Sequence, residues 1–268
     1  KMKKVLSVAC ALCMTTAMLT GCGSSNNAGT AATGEAQNSA AASTTTEQAS
    51  TATDAGTTLI ALITMDSLDQ HWVTLNEGAQ KAAAELGVTV QFMAPNTKDD
   101  AQQIECVNNA VSAGAQAIIV AANGPDAISS ALREASDAGV KLIYVDSPAN
   151  VSAEATFSTD NNAAGKTAGE EMKKALADAG VTSGSIGIIN VNAATDSCVM
   201  REEGFRSAFE GTDFELLETQ YGEGDAAKSQ SIAENYITQG VVGIFGCNEG
   251  STTGAGNAIK ASGKDNVI

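Results

Sequence analysis

The sequence predicts an α/β protein built on parallel sheets with helices on both faces. Three observations carry that reading. Continuous apolar runs rich in Val and Ile recur from residue 58 onward, amphipathic helical patterns alternate with them, and a glycine follows five of those patterns. The runs are residues 59–63, 88–92, 117–120, 142–145, 186–191 and 241–245. A strand covered on both faces has no solvated side, so an unbroken apolar run marks a buried parallel sheet. The helical patterns span 75–86, 101–113, 127–138, 164–179, 200–209, 226–239 and 252–261. In the first of them Leu75, Ala79, Ala82, Ala83 and Leu86 share one face. Gly87, Gly114, Gly139, Gly180 and Gly240 stand where a left-handed cap is wanted. Strands alternating with helices in this way give a layered α/β fold.

Ahead of that pattern the chain reads as an address and a tether. Lys1, Lys3 and Lys4 form a basic segment, with Met2 read as the start. The apolar stretch 5–19 is too short to span a bilayer stably. It ends in Leu19, Thr20, Gly21 and Cys22, the pattern cut and acylated in bacterial lipoproteins. An ordinary signal peptide with an incidental Cys is the alternative. Residues 1–22 are therefore expected to be a lipoprotein signal with lipidation at Cys22, holding the protein to the membrane by its lipid chains. Residues 23–57 are Ser, Thr, Ala, Gly and Asn with almost no bulky side chain, the composition of a disordered tether.

Composition narrows the partners. Lys and Arg number 15 against 31 Asp and Glu, a net charge of -16, which repels nucleic acid and anionic lipid surfaces. Cys10 and Cys13 leave with the signal. Cys106, Cys198 and Cys247 have neither disulfide nor metal-ligand spacing and read as small buried hydrophobes. With one His and no nucleophile–base pair, the chain is not expected to be an enzyme, nor to need a cofactor or metal. The glycine-rich run 250–256 lacks the Lys-Ser/Thr ending of a phosphate loop, and residues 160–162 lack the alternation of a calcium loop. Asp99 and Asp100 read as a helix N-terminal pair.

Ligands of open parallel sheets bind beyond the carboxyl ends of the strands. Those ends are polar here: Met65, Asp66 and Ser67, then Asn96 and Thr97, Asn123, Asp146 and Ser147, then Asn192, Thr195 and Asp196, Tyr221, and finally Asn248 and Glu249. Asp146 closes a buried run, where a carboxylate accepts two adjacent hydroxyls with charge-assisted strength. Trp72, the only Trp, reads as part of a polar loop after a strand and offers a stacking platform. The alternatives are core packing for Trp72, a surface role for His71, a helix N-cap for Asp69 and a turn cap for Asp146.

These residues also carry a family resemblance. LIALITMDSLDQHWVTLNEGAQKAAAELG at 59–87, AQAIIVAANGPDA at 115–127, VKLIYVD at 140–146, STDN at 158–161, EGF at 203–205 and FGCNE at 245–249 resemble ribose-type periplasmic binding proteins of ABC importers. The resemblance implies two Rossmann-like doubly wound parallel-sheet domains, 58–158 and 159–268, with sugar in the cleft between them. The second is expected to be incomplete, because the family continues past the position of Ile268. Met65, Asp69, His71 and Trp72 then line the first wall, Asp146 binds hydroxyls, and so does Asn248. Ser147 stands where ribose binders have Arg, and a second family Arg falls near Val199, with Arg201 close by. Asn123, Asp196, Cys198 and Tyr221 complete the candidate site, with loop solvation as their alternative. The resemblance implies a monomeric, extracytoplasmic protein that captures a small sugar or polyol and delivers it to an ABC permease and its ATPase. The short stretch GEGDAAKS at 222–229 is similar to relatives that bind autoinducer-2 or deoxysugars, so presentation of such a signal to a receptor is the second expectation.

Overall fold

Five apolar residues make β1 (Leu59–Ile63), whose last three are fully covered. A run with no polar face needs neighbours on both edges and helices on both sides, and β1 has them. It pairs in parallel with β2 (Thr89–Met93) on one edge and β3 (Ala117–Val120) on the other. β4 (Lys141–Val145) and β5 (Ala155–Phe157) extend the sheet to the order β2-β1-β3-β4-β5. The connections are α1 (Gln70–Leu86), α2 (Asp100–Ser112) and α3 (Pro125–Asp137). Ile63, Ile118 and Val120 pack with Val107 and Leu132 in this lobe's core. The computed structural model describes residues 57–268; the signal segment, Cys22 and the tether up to residue 56 lie outside the described residues.

Residues 158–160 lead from β5 to α4 (Asn161–Asp178) and a second parallel sheet. Its centre is β6 (Gly184–Asn190). Ile186 pairs with Leu216 of β7 (Phe214–Leu216) on one edge and with Gly243 of β9 (Gly243–Gly246) on the other. Farther along, Ile189 pairs with Gln220 of β8 (Gln220–Tyr221) and with Gly246. β7 and β8 thus share one edge of β6, and β9 takes the other. Beyond β9, Ile244 N donates to Ile268 O and Ile268 N donates to Val242 O. α5 (Asp196–Ala208) and α6 (Ala226–Gln239) connect these strands, and α7 (Glu249–Ser262) follows β9. Ile186 and Ile188 face Leu176, Phe205 and Phe209, while Ile189 faces Ala233, Tyr236 and Ala258. The sheet is therefore covered on both sides, as continuous apolar strands require. No helix among the described residues is long and apolar enough to cross a membrane.

Two glycines set where the second lobe presents its polar groups. A Cβ on Gly165 of α4 would stand 1.9 Å from Arg201 O, and one on Gly204 of α5 would stand 1.9 Å from Asn162 O. Only side-chain-free positions let the two backbones approach so closely. That approach brings Arg201 against Asn161.

The α/β class and all six expected strands are present, with ends displaced by at most two residues. β5, β7 and β8 were not expected; at three, three and two residues they are too short to leave an apolar pattern. Helix starts need larger corrections. α1 begins at Gln70 rather than 75, where the Asp69 side chain caps it, and α5 at Asp196 rather than 200, in a first turn that opens on the polar pair Asp196 and Ser197 and so breaks the apolar spacing. The five glycines after helices all have positive φ.

Candidate functional site

The carboxyl ends of both sheets face one cavity of about 180 Å³. From β1 and α1 come Met65, Asp69, His71 and Trp72; from β4, Asp146; from β6 and α5, Val191, Thr195, Ser197, Cys198 and Arg201; from β9 and α7, Asn248 and Glu249. The loop after β2 adds Lys98.

The β1–α1 turn is built by two aspartates. Asp66 Oδ1 accepts from Leu68 N (2.8 Å) and Asp69 N (2.7 Å). Asp69 then caps α1 by accepting from His71 N at 3.1 Å. The cap alternative for Asp69 therefore holds alongside its place on the cavity wall. Capping starts α1 early enough that Trp72 lies in its first turn and not in a loop. The indole is 3% exposed and packs with Met65 and Ala121. Its Nε1–H is buried without a hydrogen-bond partner. The same is true of Asn248 Nδ2, whose Oδ1 caps α7 by accepting from Ser251 N and Oγ. Two buried, unpaired donors in the lining of one cavity, one from each lobe, are unusual, since buried polar groups are nearly always satisfied.

Asp146 has φ 63°, a conformation rare for any residue but Gly, Asn and Asp. Neighbouring strands hold it there. Asp146 N donates to Phe157 O at 2.9 Å, Ser158 Oγ to Asp146 O at 2.5 Å, and Ala122 N to Ser147 O at 2.9 Å. Burial pushes its carboxyl pKa up, but hydrogen bonds from His71, Ser147 and Ser197 outweigh burial and hold it below the ordinary 3.8. His71 Nε2 lies 3.7 Å from Asp146 Oδ2 with 56% of its side chain exposed. Its pKa is raised, first by the Asp146 carboxylate it faces, with Asp69 adding to the effect and burial and Arg201 opposing it.

The sign of the pH effect follows. His71's contribution to stability is complete below its ordinary 6.5 and is lost as pH rises through its raised folded value. Asp146's contribution is complete above 3.8 and is lost as pH falls through its lowered value. The pair therefore stabilises the fold most between those limits. Because His71 is half-exposed, solvent screening keeps the effect below about 1 kcal/mol. Thermal melts of wild type and His71→Gln should differ at pH 5.5 and converge by pH 8.5. A difference that does not change with pH contradicts this linkage.

A hydrogen-bonded seam joins the lobes beside Asp146. The Ser147 and Ser197 hydroxyls share a bond of 2.9 Å, and Thr195 Oγ1 donates to Asn123 O at 2.9 Å. Asn192 Nδ2 donates to Asn123 Oδ1 at 3.3 Å. Arg201 donates to Asn161 Oδ1 at 2.7 Å and to the Cys247 carbonyl.

Of the residues singled out from sequence, Met65, Asp69, His71, Trp72, Asp146, Cys198, Arg201 and Asn248 meet at the cavity. Asn123, Ser147, Asp196 and Tyr221 are not in its lining. Ser147 is fully buried behind Asp146, and Asn123 Nδ2 donates to Asp100 Oδ1. Asp196 sits in the first turn of α5, and Tyr221 on the edge strand β8 is 49% exposed. Ser197, Val191 and Lys98 had no signal of their own; Thr195 and Glu249 had only their position at strand ends. Cys198 and Cys247 are buried and Cys106 is partly so, all three free. Burial pushes the Cys198 and Cys247 thiols up, which keeps them protonated and inert. Among the described residues, no group of three or more His, Cys, Asp or Glu is arranged to hold a metal ion.

Two covered parallel sheets whose carboxyl ends share one small cavity define a two-lobed α/β binding protein. Residues 60–268 match the periplasmic binding protein domain, and the chain belongs to that family. It is 28% identical over 222 residues to the ribose import binding protein of Haemophilus influenzae, covering 82% of this chain and 74% of that protein. Among solved structures, an ABC transporter solute binding protein from Agrobacterium vitis bound with α-D-tagatopyranose is similar, with a TM-score of 0.72 and 25% identity over 77% of this chain and 72% of that one. A sugar transporter from Clostridium phytofermentans gives a TM-score of 0.70 and 29% identity, covering 77% of each chain.

Proposed function

We propose that this protein captures a neutral monosaccharide or polyol in the cavity between its lobes and delivers it to an ABC permease and its ATPase. The observation that carries the reading is the pair of buried, unpaired donors, Trp72 Nε1 and Asn248 Nδ2, in a cavity lining that also presents the carboxylates of Asp69, Asp146 and Glu249. A hydroxyl both donates and accepts, so a polyhydroxylated solute satisfies both kinds of group at once. Charge argues for a neutral one. Asp66, Asp69, Asp146 and Glu249 outnumber Lys98 and Arg201, so an anionic solute meets net repulsion. Similar proteins, one a ribose import binding protein and another bound with α-D-tagatopyranose, support the same class.

Thermal-shift screening of the full chain against sugars, polyols and amino acids tests this. A rise in melting temperature with at least one neutral sugar or polyol is expected. A rise only with amino acids would sink the solute class.

The location belongs to the same proposal: extracytoplasmic, tied to the membrane by lipid on Cys22. Its support is the register of basic segment, apolar stretch and Cys in residues 1–22. Cys22→Ala should release the protein from membranes and abolish labelling by a radioactive fatty acid. Retention of label in that variant excludes Cys22 as the acceptor.

A further inference from the structure

One charged group in the cavity is left over by the residues considered so far. Lys98 rises from the loop between β2 and α2 and ends in the cavity with 8% of its side chain exposed. Its ammonium pairs with Asp66 and lies 3.6 Å from Asp69 Oδ2, both in its own lobe. The second lobe approaches the same ammonium from the other side. An ideal Cβ on Gly224 would stand 2.8 Å from Lys98 Nζ and 3.2 Å from Asn248 Nδ2. Gly224 has φ 72°, and its lack of a side chain leaves open the space that both nitrogens border.

Both nitrogens hold protons that nothing in the protein accepts. An ammonium carries three N–H bonds, and two carboxylates face it, which leaves one free. Asn248 Nδ2 is buried with no partner at all. We infer that Lys98 and Asn248 form a donor pair, one from each lobe, for a single oxygen of the solute, and that Lys98 determines specificity at that position. This rests on the solute-binding reading above.

The oxygen is a neutral one. The charge of Lys98 is already balanced by Asp66 and Asp69, so a carboxylate or phosphate placed there meets two acidic groups at close range. An oxygen held from both lobes also joins them, so its loss weakens both contact and closure. A site built to hydrogen-bond a hydroxyl strongly rejects the analogue lacking it, because its own donors are then left unpaired.

The test is calorimetry on the full chain with D-ribose, D-allose, D-tagatose and D-fucose, followed by the monodeoxy analogues of whichever binds best. Lys98→Met alone would leave Asp66 buried and uncompensated, so the variant is Asp66→Asn with Lys98→Met. It should weaken the parent sugar between about tenfold and a hundredfold, the range for a hydrogen bond to a charged group. One monodeoxy analogue should bind wild type as weakly as the parent binds the variant, and should bind the variant no worse. Gly224→Ala keeps both nitrogens but puts a methyl against each of them, and should also weaken the parent at least tenfold. If the double variant does not fold, Gly224→Ala and the analogue series in wild type decide the matter. Unchanged affinity in the double variant or in Gly224→Ala overturns the donor pair, as does an analogue series in which no single oxygen matters. Wild type that binds none of the sugars overturns the solute reading itself, a different result from sugar binding that ignores Lys98.

Discussion

Asp146→Ala should lower solute affinity at least a hundredfold. The carboxylate sits at the carboxyl end of β4, and its lowered pKa keeps it ionised at neutral pH. Hydrogen bonds to a charged group contribute roughly 1.5–3 kcal/mol each, and losing two such bonds to vicinal hydroxyls exceeds two decades of affinity. The substitution does further damage. It removes the partner of His71 and leaves the Ser147–Ser197 seam without its acceptor. It also puts alanine at φ 63°, which costs about 1–2 kcal/mol. Asp146→Asn separates these effects. Asparagine tolerates the left-handed conformation and still accepts from Ser147, so the fold should melt close to wild type while affinity falls by about tenfold or more. Binding by Asp146→Asn and Asp146→Ala at wild-type affinity would move the site elsewhere.

Trp72→Ala should lower the melting temperature by roughly 10 °C and abolish measurable binding. Its indole is buried in the small cluster with Met65 and Ala121, and truncating such a side chain typically costs about 3–5 kcal/mol. At this chain length each kcal/mol moves the melting temperature by about 2–4 °C. Packing and binding are mixed in that variant, and Trp72→Phe resolves them. Phenylalanine restores most of the apolar volume, so the stability loss should stay below about 1.5 kcal/mol. It lacks the Nε1–H that is unpaired in the protein, so affinity should still fall about tenfold. Calorimetry and a melt on the same preparation read both numbers. Full affinity in Trp72→Phe would mean that the indole N–H does not meet the solute.

The contrast between these two residues shows what could be read from the chain. The place of Asp146 at the cavity was legible because it ends an unbroken apolar run, and cavities of open sheets lie at strand ends. Trp72 was legible as a candidate but not as a helix residue, because the cap that starts α1 is a polar side chain with no apolar period. Ser147 stands behind the cavity lining for a reason of local geometry. With Asp146 in the left-handed region, the next side chain turns inward, where it is fully buried. Tyr221 ends a two-residue strand on an edge, too short to reveal in sequence which way it points. Lys98 left no trace at all. A lone Lys in a loop is ordinarily a solvated charge, and only the fold shows that Asp66, Asp69 and Gly224 enclose it. Strand order and the three short strands were hidden similarly, because pairing is a property of the whole sheet.

The central claim is that the cavity between the lobes takes one neutral, hydroxyl-bearing solute. Titration calorimetry of the full chain with the best sugar or polyol from the screen tests it most directly. The expected result is saturable one-to-one binding at micromolar affinity or tighter, lost in Asp146→Ala. Saturable heat with an amino acid and none with any neutral sugar or polyol would contradict it.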